Sequence, residues 1–395
     1  MVRWEKVQER ISKTSGAIRY REPVSSSKEL VDREAELTDL LRAIFHNRKM
    51  ILVLGSKGVG KTSVVQVVRS LMTDEKATLI DNVLIPMGLA KRADADVDAR
   101  IPFPVYMSLQ GVGAASFLSE IIVTIAEYVQ NKKLAKLKVI IDYLSSITEI
   151  EVSTTGVRLK RELKAKIEER GSLKVFEEVY KRIVEQYPAG LVCLLDDADV
   201  LSRTDFTPVR EELYRFLETE ELLLNLVFVV YEQRDLSPLS KIYAVINIPQ
   251  LDEDSLTNIA LRKTKDLLHL TEANLKLIRE AVRGTPLFLD RVIEAIEDRY
   301  GKEENQEHLV ESAIEQAFLR VFDELDEGLK QTVVALDKLG GSGTPLEVAK
   351  EAELGDKVTY KYLNLLETFG LAISDNKKPK TYTRIPELQS ISGIR

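Results

Sequence analysis

Apolar and polar positions alternate along the first 250 residues in a pattern that predicts strands separated by helices. Each predicted strand is a short, nearly continuous apolar run, and the runs are MILVL, IPFPVYMSLQ, GLVCLL, LLNLVFVV and a weaker fifth, KIYAVINI. Stretches with apolar residues three or four positions apart lie between them and predict amphipathic helices. Strands that alternate with helices in this way indicate an α/β fold with a parallel sheet covered on both faces.

The predicted helices differ in how regular their pattern is. In ELVDREAELTDLLRAIFHN, apolar residues from Leu37 to Ile44 share one face of a capped helix. Residues 115–187 are mostly helical, with a break at EIEVSTTGVRLKREL. We interpret this break as a hairpin or a flexible linker within a helical insertion near 130–170. Helical patterns continue from Asp252 to about Phe322, with an interruption at RGTP.

From about Leu329 the pattern predicts three helices and then two short strands around the turn DNKKPK, which is the outline of a winged helix. Thr344 precedes Pro345, a pair typical of a helix start, and predicts the cap of the second helix. The core-facing residues expected in the third helix are Val358, Leu363, Leu366 and Phe369. The residues expected on its exposed side are Lys357, Thr359, Tyr360, Lys361 and Asn364.

A chain of 395 residues is long enough for two or three domains. The patterns predict an N-terminal arm (1–27), an α/β domain (28–250), a helical lid (251–325) and a C-terminal winged-helix domain (326–395).

The composition is typical of a soluble globular protein and does not by itself indicate a function. Hydrophobic residues make up 44% of the chain and charged residues 30%, as in soluble globular proteins. No run approaches about 18 apolar residues, so we predict no membrane span and no membrane partner. The charged start MVRWEKVQERISKT lacks the apolar segment of a signal peptide. The one cysteine, Cys193, has no disulfide partner in the chain, which favours a reducing, cytoplasmic location.

The formal net charge of −7 is unevenly distributed. Residues 1–30 contain seven Lys or Arg against four Glu, and residues 329–395 contain ten Lys or Arg against eight acids. The two ends therefore carry +3 and +2, which leaves −12 for the middle. This distribution permits a DNA contact at the ends without requiring one.

The most specific motif is GSKGVGKT, which directly follows the first predicted strand and precedes a predicted helix. It fits the phosphate-loop pattern G-x-x-x-x-G-K-[ST] in full. Its glycines let backbone amides point at a phosphate, and the helix adds the positive end of its dipole. Lys61 is predicted to reach the β- and γ-phosphates of ATP, and Thr62 to bind Mg²⁺. The residues predicted to bind ATP or ADP are Gly55, Ser56, Lys57, Gly58, Val59, Gly60, Lys61, Thr62 and Ser63.

A second chemical signal lies at the end of the third predicted strand, in LVCLLDDAD. Asp196 is predicted to orient the hydration shell of Mg²⁺. Asp197 is predicted to polarise the attacking water as a general base, although it could also serve as a helix cap. Many nucleotide hydrolases have Glu at this position, and the shorter Asp leads us to expect slow turnover. The fourth strand ends in YEQRD, where Arg234 is the candidate for sensing the γ-phosphate, or else forms a surface salt bridge.

These motifs together resemble the AAA+ class of P-loop ATPases, over roughly Leu30 to the C-terminus apart from the segment near 130–170. The resemblance is closest to two groups: the archaeal origin-recognition and replication-licensing initiators, and the signal-transduction (STAND) ATPases with their archaeal relatives. It implies an ASCE-type, AAA+-like P-loop core with a helical lid and a winged helix, and it favours an archaeal source.

The resemblance also implies roles for residues outside the two specific motifs. VDREAELTDLL resembles the segment in which an Arg-Glu pair, here Arg33 and Glu34, begins the helix beside the adenine pocket. YEQRD stands where STAND proteins often carry Thr-Ser-Arg, which places Arg234 on their sensor arginine. RGTPLFL resembles the STAND Gly-x-Pro motif, which matches Gly284 and implies that Pro286 lies near the adenine. The initiators instead carry an arginine here, for which Arg283 and Arg291 are the nearest residues.

The winged-helix outline leaves two partners open, double-stranded DNA and protein. For DNA, Lys377, Lys378 and Lys380 suit phosphate contacts, while Thr359 and Asn364 suit base edges. We therefore expect a slowly hydrolysing ATP-dependent switch whose nucleotide state controls DNA binding. The alternatives are an initiator that binds replication origins, and a signalling or defence ATPase that self-associates and docks protein through its winged helix.

Overall fold

The computed structural model describes most of the chain, in segments separated by gaps. The described residues are 27, 30, 32–56, 58–86, 88, 100–149, 157–202, 204–218, 223–230, 244–264, 270–282, 285–299, 306–323, 325–368, 371–375 and 380–384. They belong to two compact units. The first unit holds the described residues within 23–55 and 61–248, and the second holds those within 56–60 and from Pro249 onward.

A five-stranded parallel sheet forms the centre of the first unit. Its strands are β1 (Met50–Leu54), β2 (Phe103–Ser108), β3 (Leu191–Asp196), β4 (Leu224–Val230) and β5 (Ala244–Asn247). They lie in the order β2-β3-β4-β1-β5, and every neighbouring pair is parallel. Every residue of β3 and β4 is buried, as expected for inner strands of a sheet covered on both faces. The α/β class with a parallel sheet is therefore confirmed.

Strand β4 separates β1 from β3. Leu226 of β4 is in register with Met50 on one side and with Cys193 on the other. Because all three strands point the same way, the loop after β1 and the acidic residues at the end of β3 leave the same edge of the sheet. Strand β4 ends at Val230, at the same edge and between them.

Helices surround this sheet in the first unit. They are α1 (Glu34–Phe45), α2 (Lys61–Thr73), α3 (Lys76–Leu79), α4 (Phe117–Asn131), α5 (Lys138–Thr148), α6 (Val157–Arg170), α7 (Ser172–Gln186) and α8 (Thr207–Glu218). A π-helical turn, Ile80–Leu84, follows α3. Helix α1 buries Leu40, Leu41 and Ile44, the face that its apolar spacing predicts.

The segment interpreted as a hairpin or linker contributes to the core. Leu144 of α5 and both Leu163 and Ile167 of α6 belong to the same apolar cluster as Phe103 and Leu191 of the sheet. Leu163 and Ile167 lie one helical turn apart and so face the core together. The interpretation is therefore wrong for residues 157–163, which belong to a helix, while residues 150–156 lie outside the described residues.

The second unit is mainly helical and ends in a small sheet. Its helices are α9 (Glu253–Thr264), α10 (Glu272–Val282), α11 (Pro286–Arg299), α12 (Gln306–Asp323), α13 (Glu327–Lys338), α14 (Pro345–Glu351) and α15 (Asp356–Thr368). The strands β6 (Ser342–Gly343), β7 (Ala372–Ser374) and β8 (Tyr382–Arg384) pair antiparallel in the order β6-β8-β7. One apolar cluster extends from Leu251 to Ala372 and includes the packed rings of Phe288 and Phe318.

Helix α14 begins with a capping box. The Thr344 hydroxyl accepts a hydrogen bond from the Glu347 amide, and the Glu347 carboxylate accepts one from the Thr344 amide at 2.7 Å. Pro345 occupies the first turn, where its missing N–H costs nothing. The predicted cap of this helix is confirmed.

The buried face of α15 differs from the prediction by one residue. Thr359 is 0% exposed, whereas Val358 is 44% exposed. Thr359, Leu363 and Leu366 are spaced by four and three positions, so they form one continuous buried stripe that excludes Val358. The expectation that Thr359 faces outward is therefore wrong, and Phe369 lies outside the described residues.

Every helix among the described residues is too short or too polar to cross a bilayer.

Candidate functional site

The GSKGVGKT motif lies between a buried strand and a helix, as its sequence predicts. β1 ends at Leu54 and α2 begins at Lys61, so residues 55–60 form the connecting loop. Gly58 and Gly60 have φ values of 81° and 99°, a left-handed backbone that glycine adopts without steric cost. Lys57 lies outside the described residues. The loop therefore leads the chain into a helix N-terminus, where backbone amides suit an anion.

Lys61 is buried at the start of α2. Its side chain is 6% exposed, and its Nζ donates a hydrogen bond to the Gly55 carbonyl oxygen at 2.7 Å. Thr62 and Ser63 follow in the same turn and are partly exposed. The first turn of α2 contains no acidic residue. Its positive dipole end and the Lys61 ammonium therefore favour a negatively charged ligand.

Gly58 also packs closely within the second unit. The amide of Leu287 donates a hydrogen bond to the Gly58 carbonyl oxygen at 3.2 Å. A Cβ atom at Gly58 would lie 2.8 Å from Leu287 Cβ and 3.0 Å from Thr285 Cγ2. Pro286 is the first residue of α11, between these two neighbours, whereas Gly284 and Arg283 lie outside the described residues. The loop and the start of α11 are therefore in direct contact.

Asp196 is the last residue of β3, and its side chain is held on both carboxylate oxygens. It is 5% exposed. The Tyr106 hydroxyl donates to Oδ2 at 2.9 Å, and the amide of Asp197 donates to Oδ1 at 3.0 Å. Each oxygen keeps further lone-pair capacity, because a carboxylate accepts about four hydrogen bonds. The carboxylate is thus fixed in one orientation and can still accept bonds from water.

Asp197 has a different setting from its neighbour. It is partly exposed, and its φ of 53° is uncommon for a residue with a side chain. The Ser108 hydroxyl donates to its Oδ2 at 2.7 Å. Ser108 ends β2 and is in register with Asp196, so its hydroxyl lies beside the acids. An unusual backbone conformation held by neighbouring strands is a feature that concentrates at functional sites.

Tyr106 connects the acid strand to helix α2. Its hydroxyl donates to Asp196, and the Gln66 side chain interacts with the same hydroxyl and lowers its pKa. Burial, followed by the charge of Asp196 and the hydrogen bond to it, raises the pKa of Tyr106 far above its usual value. The Arg69 guanidinium lies 5.7 Å from the centre of the Tyr106 ring. At neutral pH the hydroxyl is therefore protonated and acts as a donor to Asp196.

Sequence reasoning missed Tyr106, Ser108 and Gln66. A signal for two of them was present, because Tyr106 and Ser108 are polar residues two positions apart in an apolar strand and so share one face. No local pattern marks Gln66, since its partner is distant in sequence.

Other predicted site residues are placed as follows. Arg33 is buried just before the first residue of α1, Glu34, and its Nη1 lies 4.0 Å from Glu36 Oε1. Arg291 is buried in α11, 3.5 Å from the Glu294 carboxylate. Arg234 lies outside the described residues.

The predicted DNA contacts of the second unit fall into three groups. Lys357, Tyr360 and Lys361 are exposed on α15. Asn364 accepts a hydrogen bond from the Tyr382 hydroxyl at 2.6 Å, and Lys380 pairs with Glu367 at 3.1 Å. These two side chains are therefore engaged within the domain. The third group consists of Thr359, which is buried, and of Lys377 and Lys378, which lie outside the described residues.

Within the described part of the chain, no three His, Cys, Asp or Glu side chains come together as a cage for a metal ion. Mg²⁺ in phosphate sites needs only one or two carboxylates, because water and phosphate oxygens complete its shell. The oriented Asp196 carboxylate and the Thr62 hydroxyl are oxygen donors of this kind.

Comparison with solved structures identifies the fold. No protein-family model matches the sequence, and no curated protein matches it. Among solved structures, the Walker-type ATPase of Pyrococcus abyssi is similar, with a TM-score of 0.58 and 15% identity, over 96% of this chain and 99% of that one. The RuvB Holliday junction branch migration motor of Thermotoga maritima has a TM-score of 0.49 and 14% identity, over 94% and 98% of the two chains. The first similarity shows that this chain has the fold of a P-loop ATPase.

Proposed function

We propose that the chain binds ATP with Mg²⁺ and hydrolyses it slowly to ADP and phosphate. One observation carries the proposal. A complete phosphate-loop motif follows β1, and a buried carboxylate with both oxygens oriented ends β3, at the same edge of the sheet with one strand, β4, between them. Loop and acid are the two parts that ATP hydrolysis in this kind of fold requires.

The loop supplies phosphate binding. Its backbone amides and the start of α2 bind the phosphate oxygens, and the Lys61 ammonium pairs with the β- and γ-phosphates. In the structure this ammonium is bonded to the Gly55 carbonyl, a neutral acceptor. A phosphate oxygen is a stronger acceptor than this carbonyl because it is charged. Arg33 and Pro286 are proposed to contact the adenine side of the nucleotide.

Mg²⁺ would be held by the Thr62 hydroxyl and, through water, by Asp196. The ion neutralises charge on the phosphate oxygens when it is bound. Asp196 suits this role because its orientation is fixed by Tyr106 and by the Asp197 amide. A carboxylate that is already oriented loses little conformational freedom on binding.

Hydrolysis would use Asp197 as general base. Its carboxylate accepts a proton from water while the water oxygen bonds to the γ-phosphorus, and the bond from that phosphorus to the β–γ bridging oxygen breaks. Lys61 stabilises the leaving ADP. Arg234, which lies outside the described residues and follows β4 in the sequence, is proposed to sense the γ-phosphate. Because Asp is one methylene shorter than Glu, the base reaches the water less well, which is the basis for slow turnover.

The second part of the proposal is that ATP state controls the binding of double-stranded DNA through the C-terminal elements. Their order, helix, strand, helix, helix, strand, strand, is typical of a winged helix. Helix α15 exposes Lys357, Tyr360 and Lys361, side chains that suit phosphate contact and stacking. A replication initiator would bind defined duplex sites in this way.

One observation favours the alternative of protein docking by a signalling or defence ATPase. Leu346 of α14 and Val358 of α15 are exposed apolar side chains. The exposed acids Glu347, Glu353 and Asp356 offset nearby lysines. Duplex affinity at low salt separates the two candidates, because phosphate contacts weaken as salt is added.

The test of nucleotide binding compares the native chain with Lys61→Ala and with Lys132→Ala, an exposed lysine of the same unit. Affinity for ATP and ADP is measured by calorimetry, and phosphate release in single turnover. We expect the native chain and Lys132→Ala to bind and hydrolyse ATP slowly, Lys61→Ala to lose binding, and Asp197→Asn to bind without hydrolysis. Equal ATP affinity in the native chain and Lys61→Ala contradicts the proposal.

The test of DNA binding measures duplex affinity in ATP and in ADP over a range of salt. Lys357→Ala and Lys361→Ala are each expected to reduce the slope of log affinity against log salt by about 1. Lys350→Ala on α14 is the control. No duplex binding at low salt in either nucleotide would show that the DNA proposal is wrong and leave protein docking.

A further inference from the structure

We propose that Tyr106 is a positioning residue that holds the two Mg²⁺-directed groups, Thr62 and Asp196, in fixed relation to each other. The inference rests on the proposed function, because it assigns a role in that same site. It concerns three elements of the first unit: α2, β2 and β3.

The Tyr106 hydroxyl is shared between two of these elements. It donates to Asp196 Oδ2 at 2.9 Å, across the neighbouring strands β2 and β3. The Gln66 side chain of α2 also interacts with this hydroxyl and lowers its pKa. A hydroxyl has one donor and two acceptor positions, so it can donate to Asp196 and accept from Gln66. One oxygen atom thus links the acid strand to the helix that follows the phosphate loop.

The position of Gln66 is fixed relative to Thr62, because both residues belong to helix α2. The two residues are four positions apart in α2, so they lie on the same face, one turn apart. Arg69 is seven positions after Thr62, on that face as well, and its guanidinium lies 5.7 Å from the Tyr106 ring. The face of α2 that carries Thr62 therefore packs on Tyr106.

Removal of the hydroxyl would affect Asp196 selectively. Asp196 is almost fully buried and would lose the donor on Oδ2 while keeping the Asp197 amide on Oδ1. A buried carboxylate oxygen without a partner is costly, so the side chain would turn toward another donor. The loop itself, which binds the phosphates, would be unchanged. The loss should appear in Mg²⁺ affinity, with nucleotide binding in the absence of the ion preserved.

The test is Tyr106→Phe, which keeps the ring and removes only the hydroxyl. The matched control is Tyr128→Phe on α4, a half-buried tyrosine that also lies near Arg69 and is not bonded to either acid. The measurement is ATP affinity by calorimetry in EDTA and over a Mg²⁺ titration, with thermal unfolding as a check on folding. Loss of a residue that supports a metal ligand typically weakens metal affinity about 10- to 100-fold. We expect that shift for Tyr106→Phe, an unchanged ATP affinity in EDTA, and native behaviour for Tyr128→Phe.

Gln66→Leu provides a second variant that leaves the Asp196 bond in place. It is expected to weaken the Mg²⁺ dependence in the same direction by a smaller factor. A Mg²⁺ titration of Tyr106→Phe that matches the native chain overturns the inference, as does an equal loss of ATP affinity with and without Mg²⁺. A native chain without Mg²⁺-dependent ATP binding overturns the proposed function and the inference with it. If ATP binding by the native chain depends on Mg²⁺ and Tyr106→Phe shows the same dependence, the inference is wrong and the proposed function stands.

Discussion

The Ser108 hydroxyl and the Asp197 carboxylate are joined by a 2.7 Å hydrogen bond between the ends of β2 and β3. The same serine oxygen accepts the amide of Gln110 at 3.2 Å, so its hydrogen is directed at the acid. Asp197 is partly exposed and has a left-handed backbone conformation. The bond from Ser108 connects its carboxylate to β2. Ser108 therefore sets the direction of the proposed general base.

Ser108→Ala is expected to slow ATP hydrolysis roughly tenfold, because a hydrogen bond to a charged group contributes about 1.5 kcal/mol or more. ATP affinity should stay within about twofold of native, since Ser108 is not part of the phosphate loop. Single-turnover phosphate release and calorimetry measure the two quantities. Ser108→Thr, which keeps the hydroxyl, is the control. Faster hydrolysis in Ser108→Ala would show instead that the bond holds Asp197 away from the water.

Gly58 and Gly60 form a matched pair for testing the loop. Both have positive φ, so alanine at either position costs about 1–2 kcal/mol in backbone strain. At Gly58 the new Cβ would also lie 2.8 Å from Leu287 Cβ, whereas nothing lies within 4 Å at Gly60. Gly58→Ala should therefore be the less stable by a further ~1–3 kcal/mol. Urea unfolding without nucleotide measures the difference, and equal midpoints would contradict the close contact with Leu287.

Cys193 offers a probe of the sheet interior. It lies in the middle of β3, fully buried, and burial raises the pKa of its thiol to about 12. At pH 8 the group is both protonated and inaccessible, and only the thiolate reacts. Native protein should therefore resist a disulfide reagent, and unfolded protein should release one equivalent. Rapid labelling of the folded chain would contradict the burial of β3.

The capping box of α14 predicts a pH dependence. Hydrogen bonds from the Thr344 amide and hydroxyl lower the pKa of Glu347 below its usual value. Because the folded pKa is the lower one, this contribution to stability is present above the ordinary pKa of Glu and is lost as pH falls through the folded value. Amide exchange in α14 should speed up as the solution is acidified through that range. Glu347→Gln keeps the acceptor and removes the titration, so its exchange should not show this step.

Thr344→Ala removes the side-chain cap itself. We expect a cost of about 1 kcal/mol, or roughly a fivefold increase in amide exchange of α14 at pH 7. Ser in place of Thr344 should preserve the cap. An unchanged exchange rate in Thr344→Ala would show that the cap does not limit opening of the helix.

Predictions of local structure are confirmed where a short pattern specifies it. A strand, a glycine loop and a helix surround GSKGVGKT as its sequence predicts, because all three lie in one continuous segment, while phosphate binding by this loop stays a prediction. The strands were visible because inner parallel strands are apolar throughout. Their order was not visible, because pairing such as that of Met50 with Leu226 joins residues far apart in sequence.

The errors have physical causes. In α15 the sequence permits two neighbouring buried faces, one that includes Val358 and one that includes Thr359. Packing against the rest of the domain buries Thr359, although Val358 is the more apolar residue. In α6 the many charged residues hid the core contacts of Leu163 and Ile167. The polar face of β2 marks Tyr106 and Ser108, but their bonds to Asp196 and Asp197 depend on the pairing of β2 with β3, which the sequence of β2 does not reveal.

The position of β4 limits which ligands the proposed site accepts. Neighbouring strands lie about 4.8 Å apart, so β1 and β3 are separated by roughly 10 Å. A single phosphate bound at the end of β1 falls short of Asp196 and Asp197, whereas a longer phosphate chain extends toward them. In the proposed site, the width of β4 would thus set how long a phosphate chain must be to reach the acids, and ATP would reach them with the terminal phosphate that ADP lacks.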